Sequence, residues 1–337
     1  MTLKQIGEFG FIHKISRGCL VRPENVTVAI GDDAAAFSTV PDELTLVTTD
    51  LLIEKIHFSR NFTDGLDLGH KSLAVNLSDI AAMGGIPREA FVSIAVPENC
   101  ELDYLEELYR GIKALAAAHN VNILGGDTTR APKDLVINIC VMGSVAPSDI
   151  LTRDKAKNGD RIYCSGFLGH SRAGLHLLKN NQYKNNNLFQ TLIDAHKRPT
   201  PQIGVGRFLA KYPDVKTAID ISDGLGADLS HICKASKLGA RLYENSLPIS
   251  DHLKEFCARF GFDPQEYALK GGEDYVLVFT IAPEKAKSLE DAYCQKFGVT
   301  PHLIGEIVAT PGIEMTQPDG CTKPIESAGW DHFKVDA

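Results

Sequence analysis

The fold is decided by the stretch Leu44-Thr45-Leu46-Val47-Thr48-Thr49-Asp50, an apolar run that ends in two hydroxyl groups and a carboxylate. Residues 44–47 predict a buried strand. The oxygens at its end form the kind of hard-oxygen cluster that binds Mg²⁺. A single segment of this type more often ends a strand and caps a turn, so the prediction depends on whether the pattern recurs.

Similar acidic segments do recur next to predicted strands or helices, and most of them contain glycine, which allows close backbone approach. They are Gly31-Asp32-Asp33, Asn76-Leu77-Ser78-Asp79, Gly125-Gly126-Asp127-Thr128-Thr129-Arg130, Asp220-Ile221-Ser222-Asp223-Gly224 and Gly271-Gly272-Glu273-Asp274. So many carboxylates are either dispersed or held together by cations, because like charges repel. Magnesium suits the second alternative, since each ion takes one or two carboxylates and substrate phosphates complete its coordination. The recurrence favours magnesium and phosphate chemistry.

Residues 67–83 are predicted to form a helix that stops at Gly84-Gly85. Ser72, Asn76 and Asp79 follow the spacing i, i+4, i+7, which places them on one polar stripe of this helix. A stripe of this kind is often solvated. Solvated stripes usually carry Lys and Glu, however, whereas these side chains are short. Both interpretations, a solvated face and a functional one, stay open.

Length and composition indicate a two-domain globular protein. A chain of 337 residues exceeds the size at which one hydrophobic core usually stops growing. The composition turns polar over residues 146–159, which indicates a boundary there. We predict an α+β chain with an N-terminal domain over residues 1–147 and a C-terminal α/β domain over residues 148–337.

Charge and cysteine usage exclude several classes of protein. The net charge of −8 argues against a nucleic-acid or anionic-membrane surface, and no run approaches the ~20 apolar residues of a membrane span. The eight cysteines form no C-x-x-C pair, which is typical of reduced thiols rather than of a disulfide framework. Because the N-terminus contains Glu8 and no continuous apolar core, it does not resemble a signal peptide. We expect a cytoplasmic protein.

Common catalytic motifs do not account for the chain. It contains no P-loop pattern G-x-x-x-x-G-K-[ST] and no G-x-S-x-G nucleophile. The spacing between Gly166 and Gly169 is too loose a match for a dinucleotide fold. His57 is a candidate base, but an isolated histidine near a strand is more often a hydrogen-bonded structural group.

Taken together and in order, the acidic segments resemble the thiamine-monophosphate kinase family of the aminoimidazole-ribonucleotide-synthetase-like superfamily. The middle motifs are shared by the superfamily. The motifs more particular to the kinases are Thr48-Thr49-Asp50 with His57-Phe58 near the start and Gly329-Trp330-Asp331-His332-Phe333 at the end. Further matching motifs are Leu151-Thr152-Arg153 and Gly271-Gly272-Glu273-Asp274-Tyr275. The resemblance covers essentially the whole chain.

The resemblance implies a fold and a reaction. The implied fold has two domains, with N-terminal strands of two subunits forming a shared barrel in a homodimer. The C-terminal α/β domain completes the active site. The implied reaction is ATP-dependent phosphorylation of thiamine monophosphate to thiamine diphosphate, with several Mg²⁺ ions and direct in-line transfer. No nucleic acid or membrane partner is implied.

The resemblance also implies roles for individual residues. The implied metal ligands are Asp33, Thr48, Thr49, Asp50, Asp79, Asp127, Asp220 and Asp223. The implied ATP-binding residues are Tyr109, Gly126, Asp127, Arg153 and Ser222. Thiamine monophosphate is expected to contact His57, Glu273 and Trp330, and the catalytic set is Asp50, Asp127, Asp220 and Arg153.

Physical chemistry agrees with these roles. A phosphate monoester has a second pKa of about 6 and is largely a dianion at neutral pH, so its oxygen needs no general base. The difficulty is to bring two polyanions together, which metal ions and Arg153 overcome by positioning and charge neutralisation. An indole face (Trp330) and a carboxylate (Glu273) suit the aromatic cation of thiamine. The alternative for Trp330 is a C-terminal anchor in the core.

Two other functions remain as alternatives. One is another ATP-using superfamily member, such as selenophosphate synthetase or aminoimidazole ribonucleotide synthetase. Against the former, the chain has no Cys or Lys in a glycine-rich N-terminal segment. The other is a non-catalytic, metal-dependent nucleotide-binding module. The many carboxylates of the chain argue against this alternative, because a binding module does not need carboxylates able to hold several metals.

Overall fold

The computed structural model describes residues 3–31, 34–180 and 189–325. Contacts divide the chain into two compact units. The first comprises Met1–Ile80 and Gly85–Ser148, and the second comprises Ala81–Gly84 and Asp149–Ala337. The change of unit after Ser148 lies next to the predicted boundary at 147/148.

The first unit contains three described helices and six described strands. The helices are α1 (Leu3–Ser16), α2 (Gly65–Ala82) and α3 (Leu102–Ala118); the strands are β1 (Val26–Val28), β2 (Ala36–Phe37), β3 (Leu44–Ile53), β4 (Ile86–Pro97), β5 (Asn122–Ala131) and β6 (Val136–Val145). Strands β1 and β2 pair with each other, and the other four form a sheet in the order β3-β6-β4-β5. Only the β4–β5 pair is parallel among these. The strand predicted over residues 44–47 is therefore the beginning of β3, at one edge of the sheet.

Helices α2 and α3 pack at very close range because each has a glycine at the contact. A Cβ atom on Gly69 would lie 1.9 Å from the Leu108 carbonyl oxygen, and one on Gly111 would lie 2.1 Å from that of Leu66. Helix α2 lies against one face of the sheet, where Ile80 contacts Gly143. This packing holds the polar stripe of α2 in place beside β3.

The opposite face of the sheet, which we call the open face, remains exposed near β3. Val47 and Leu51 are 62% and 50% exposed on it. Side chains along a strand alternate between faces, so Thr49 lies on this face as well, whereas Thr48 and Asp50 point toward α2. Apolar side chains this exposed on a regular sheet indicate a surface suited to association.

The second unit is built on one seven-stranded sheet in the order β13-β12-β9-β11-β7-β10-β8. Its strands are β7 (Arg161–Cys164), β8 (Thr217–Asp220), β9 (Gly239–Tyr243), β10 (Leu277–Ile281), β11 (His302–Val308), β12 (Gly312–Thr316) and β13 (Thr322–Pro324). Its described helices are α4 (His170–Lys179), α5 (Gln190–Lys197), α6 (Ile203–Lys211), α7 (Leu225–Ser236), α8 (Asp251–Phe260), α9 (Pro264–Lys270) and α10 (Pro283–Phe297), with a short 3-10 helix at Glu244–Ser246. All of its strand pairs are antiparallel except β9–β12. One or more helices separate most of its consecutive strands, as expected of an α/β domain, but the sheet is mainly antiparallel.

The described residues of this unit include two hydrophobic cores. One core contains Ile162 of β7, Val278 of β10 and Leu229 of α7. The other contains Tyr163 of β7 and Phe279 of β10, together with side chains of α6 and α10. Consecutive residues of β7 and β10 thus enter different cores, because successive side chains of a strand point to opposite faces. All eight cysteines are free thiols. Within the described ranges, none of the helices is both long enough and apolar enough to cross a membrane.

Candidate active site

Thr48, Asp50, Asn76 and Asp79 form a group that we call the carboxylate cluster. The Thr48 hydroxyl donates a hydrogen bond to the Asp79 carboxylate, and the Asp50 amide donates to Asn76 Oδ1 at 3.1 Å. Asn76 and Ser72 are completely buried. The polar stripe of α2 therefore faces β3, and the interpretation as a solvated face is wrong.

The electrostatics of the carboxylate cluster favour a bound cation. Burial, and secondarily the charge of Asp79, raise the pKa of Asp50 to about 7. The cause is that a buried carboxylate loses solvation and a second negative charge opposes its ionisation. A divalent ion would relieve both effects, and carboxylate and hydroxyl oxygens are the ligands that Mg²⁺ prefers. The donors present fit magnesium.

Thr49 does not belong to the carboxylate cluster. Its hydroxyl lies on the open face, where it accepts a hydrogen bond from Asn138 Nδ2 at 2.8 Å. The same amide donates to the Asp50 carbonyl oxygen at 3.1 Å. Because of the two-residue period of a strand, the hydroxyls of Thr48 and Thr49 cannot reach the same side of the sheet. The Thr49 hydroxyl therefore lies apart from Asp50, and the expectation that Thr49 is a metal ligand stays a prediction.

Gly126 and Asp127 lie on β5, at the other edge of the sheet from Asp50. The register runs from Asp50 through Ile139 and Val92 to Gly126, which is three strand spacings or roughly 14 Å along the sheet. The exposed Asp127 carboxylate accepts a hydrogen bond from the Thr128 amide at 2.9 Å. Within the first unit, Asp127 is thus placed apart from the carboxylate cluster. Across the described ranges, no three His, Cys, Asp or Glu side chains converge as one metal-binding group.

Tyr109 lies inside the first unit. Its ring is 3% exposed and packs edge-on against Phe11, with ring centroids 5.7 Å apart. Burial raises the pKa of its hydroxyl above the ordinary value. A ring so enclosed offers almost no surface to a nucleotide. In this unit the ring packs α3 on α1, and the expectation that Tyr109 binds ATP stays a prediction.

His57 is oriented by its own turn. Its Nδ1 atom accepts a hydrogen bond from the Ile53 amide at 3.0 Å, and its own amide donates to the Ile53 carbonyl oxygen at 2.9 Å. The lone pair of Nδ1 is therefore occupied, and any hydrogen on the neutral ring is on Nε2. This arrangement suits a hydrogen-bonding residue better than a general base.

In the second unit, residues 220–224 form an acidic loop between β8 and α7. Asp228, in the first turn of α7, accepts the backbone N–H groups of Ser222, Asp223 and Gly224, each at 3.0 Å. Burial, followed by the charge of Asp220, raises the pKa of Asp228 to about 8. Asp228 is not among the site residues predicted from the sequence, although an acidic residue in the first turn of a helix is a recognised signal. It shapes the backbone that presents Ser222 and Asp223.

Arg153 is exposed and lies near the beginning of the second unit. Its carbonyl oxygen accepts a hydrogen bond from the Ser236 hydroxyl at 3.0 Å. Burial, then the positive charge of Arg153, lower the pKa of His231, and Asp223 acts on the same imidazole in the opposite direction. The guanidinium charge of Arg153 and the Asp223 carboxylate thus act on one side chain of α7.

Residues 271–275 run beside the acidic loop. The Glu273 amide donates to the Ser222 carbonyl oxygen at 2.8 Å, so the structure brings Glu273 and Ser222 together. The half-buried Asp274 carboxylate accepts the amides of Gly169 and Ser171, at 2.6 and 3.0 Å, before and within the first turn of α4. Burial raises the pKa of Asp274 to about 7. Two further site predictions, Asp33 and Trp330, lie outside the described residues and stay predictions.

Comparison with known proteins assigns the family. The models named AIR synthase related protein, N-terminal domain and C-terminal domain, match residues 31–145 and 157–317. The thiamine-monophosphate kinase of Aquifex aeolicus is 35% identical over 333 residues, covering 99% of this chain and 100% of that protein. This chain belongs to the thiamine-monophosphate kinase family. That membership confirms the α+β, two-domain fold class predicted from the sequence.

Solved structures agree with the family assignment. A thiamine-monophosphate kinase from Stenotrophomonas maltophilia is 35% identical, with 93% of this chain and 97% of that chain covered and a TM-score of 0.83. A structure described as AaThiL complexed with AMPPCP and TMP is 33% identical, with 99% of both chains covered and a TM-score of 0.78. The likeness extends over nearly the full length of each chain.

Proposed function

We propose that this protein is a thiamine-phosphate kinase, which transfers the γ-phosphoryl group of ATP to thiamine monophosphate and produces thiamine diphosphate. The observation that carries the proposal is full-length membership of the kinase family. In addition, the side chains of the carboxylate cluster lie together and fit magnesium. A relative with 33% identity is described as complexed with AMPPCP and TMP. That complex supports ATP and thiamine monophosphate as the two substrates here.

Magnesium is the cofactor that the acidic side chains suit. In the first unit, Thr48, Asp50 and Asp79 would hold it at the carboxylate cluster, and Asp127 would act from the other edge of the sheet. In the second unit, Asp220 and Asp223 are the candidate ligands, and Asp33 stays a predicted one. When bound, magnesium supplies charge neutralisation for the phosphate groups of the two substrates.

The residues of the chain act mainly by positioning the substrates. The acceptor phosphate is already a dianion near neutral pH, so no side chain has to remove a proton from it. His57, whose Nδ1 is occupied by the Ile53 amide, fits a role in holding thiamine monophosphate. Gly126, Asp127, Arg153 and Ser222 remain the proposed contacts of ATP.

Recognition of thiamine requires groups that suit an aromatic cation. Glu273 supplies a carboxylate that is 27% exposed, and its placement beside Ser222 brings it next to the acidic loop. Trp330 is proposed as the second contact, on the strength of the motif alone. An indole face attracts a cation through its quadrupole, with about 0.5–2 kcal/mol.

We also propose a cytoplasmic homodimer. The open face of the first unit exposes Val47 and Leu51 on a regular sheet, and a second copy of the same face would remove both from water. This fits the shared barrel that the family resemblance implies. Sedimentation of the purified protein at micromolar concentration tests it, and a purely monomeric species would contradict the dimer.

A product analysis decides among the candidate functions. The protein is incubated with ATP, Mg²⁺ and thiamine monophosphate, and thiamine diphosphate and ADP are both quantified. Formation of both in equal amounts supports the kinase. ADP without a diphosphate ester would favour another ATP-using member of the superfamily, and ATP binding without turnover would favour a nucleotide-binding module. Chelation of the metal should abolish turnover.

A further inference from the structure

Ser171, His196 and Glu273 form a connected polar group inside the second unit. The Ser171 hydroxyl oxygen lies 3.0 Å from His196 Nδ1, and the same nitrogen lies 3.3 Å from Glu273 Oε2. Ser171 and His196 are 1% and 3% exposed, whereas the Glu273 side chain is 27% exposed. The group therefore connects a buried imidazole to a carboxylate that reaches the surface.

The contact with Glu273 favours the forms of His196 in which Nδ1 carries a hydrogen. An ionised carboxylate only accepts hydrogen bonds. The contact with Glu273 Oε2 is therefore attractive only if Nδ1 carries a hydrogen, as in the Nδ1–H tautomer or the imidazolium ion. That hydrogen lies between two acceptors, Glu273 Oε2 and Ser171 Oγ. In either of these forms, His196 can donate a hydrogen bond toward Glu273.

Secondary structure holds the group rigidly. Ser171 lies in the first turn of α4, where its amide donates to Asp274 at 3.0 Å, and His196 lies in the last turn of α5. The two helices pack closely, because a Cβ atom on Gly174 would lie 2.1 Å from the Leu192 carbonyl oxygen. The position of the imidazole relative to α4 is therefore fixed by packing.

The backbone at Glu273 is strained. Glu273 and Tyr275 have φ angles of +62° and +51°, a conformation that residues with a Cβ atom adopt rarely. The strain is maintained because the amides of Glu273 and Tyr275 donate to the carbonyl oxygens of Ser222 and Ile221, at 2.8 and 2.9 Å. Strained backbone of this kind concentrates at functional sites. Glu273 makes its contact with His196 from this conformation.

We propose that His196 is a positioning residue, which with Ser171 holds the Glu273 carboxylate in the orientation that receives the cationic ring of thiamine monophosphate. This inference rests on the proposed function, in which Glu273 contacts that substrate. A free glutamate loses side-chain entropy when it is ordered by a ligand. Fixing the carboxylate beforehand removes that cost from substrate binding. His196 itself is buried and acts through Glu273.

Kinetics of two His196 variants test the proposal. His196→Leu removes the donor and keeps a buried side chain of moderate size, whereas His196→Asn retains an N–H near the position of Nδ1. We expect His196→Leu to raise the KM for thiamine monophosphate about tenfold, the scale of a lost hydrogen bond to a charged group. The KM for ATP should stay unchanged, and His196→Asn should recover most of the loss.

A double variant separates positioning from a purely structural role. If His196 acts through Glu273, adding His196→Leu to Glu273→Gln should have little further effect on the KM for thiamine monophosphate. His176→Leu serves as the matched control, because His176 lies on α4 with its ring against Phe262, at a centroid distance of 4.9 Å. This control should leave the ratio of the two KM values unchanged.

The outcomes distinguish this proposal from the proposed function. A parallel rise in both KM values, or full additivity in the double variant, would mean that His196 only stabilises the unit, and the proposal would be overturned. If His196→Leu kept the wild-type KM for thiamine monophosphate, the role of His196 would be overturned and the proposed function would stand. If the wild-type protein formed no thiamine diphosphate at all, the proposed function would fail and the role of His196 with it.

Discussion

Gly126 is the position at which a single methyl group should disrupt the nucleotide side of the site. Its φ angle is +146°, and a Cβ atom there would lie 1.8 Å from the Val92 carbonyl oxygen. Ordinary contact begins at 3.4 Å, so β5 must move from β4 by about 1.6 Å in Gly126→Ala. A shift of that size exceeds what an N–H···O bond tolerates.

The cost follows from these two effects. The backbone conformation, which is populated almost only by glycine, costs another residue about 1–3 kcal/mol, and each ladder hydrogen bond that opens removes about 1 kcal/mol. With one or two bonds lost, we expect Gly126→Ala to lower the free energy of unfolding by roughly 2–5 kcal/mol. Because Asp127 follows directly, the KM for ATP should rise as well.

Gly125→Ala is the matched control, since the adjacent glycine has more room. A Cβ atom on Gly125 would approach only the Phe91 ring, at 3.3 Å, and that side chain can move by a few tenths of an ångström. Urea unfolding and the KM for ATP should be measured for the wild type and both variants. Wild-type values in Gly126→Ala would refute the reasoning. Equal damage in Gly125→Ala would mean that close approach to Val92 is not the cause.

Three further predictions concern charge and protonation. In Asp79→Asn, turnover at ordinary Mg²⁺ concentration should fall by about a hundredfold or more, because a proposed metal ligand is lost. The metal-free melting temperature should stay level or rise as repulsion of Asp50 disappears, and a clear fall would contradict the repulsion argument. His57→Asn should raise the KM for thiamine monophosphate with kcat nearly unchanged; a loss of orders of magnitude in kcat alone would make His57 a base. Burial, then the charge of His252, lower the pKa of His170 from 6.5 to about 4. As pH falls, this imidazole is therefore protonated in the unfolded chain before it is protonated in the folded one. The free energy of unfolding decreases for this reason between pH 6.5 and 4, by about 2 kcal/mol at pH 5. His170→Gln should lack this component, so urea unfolding at pH 7 and pH 5 should show a smaller decrease for the variant, and identical decreases would exclude His170 as the source.

The sequence carried enough information for the main local features. The apolar run before Thr48 and Asp50 predicted a strand, which β3 confirms, but the prediction that this strand is buried is wrong, because β3 lies at the sheet edge and Leu44 and Val47 are 41% and 62% exposed. The spacing of Ser72, Asn76 and Asp79 predicted a single polar stripe on α2. Both are properties of neighbouring residues, because strand and helix periods act over a few positions. The separation of the Thr48 and Thr49 hydroxyls onto opposite faces follows from the same strand period.

Only the tertiary structure decided how these features meet. The carboxylate cluster joins Asp50 to Asn76, 26 positions along the chain, and the contact between His196 and Glu273 spans a still longer separation. No local sequence pattern around His196 or Glu273 indicates that the two residues are in contact. The burial of Tyr109 likewise depends on α1, which lies far from it in sequence.

The same reason explains why the site could be predicted only in part. Motif order and residue type determined that the protein carries carboxylates and hydroxyls suited to magnesium, since those are chemical properties of the side chains themselves. Whether Asp127 lies beside Asp50 depended on the strand order β3-β6-β4-β5. That order is set by hydrogen bonds and packing between distant segments, which the period of any one segment does not encode.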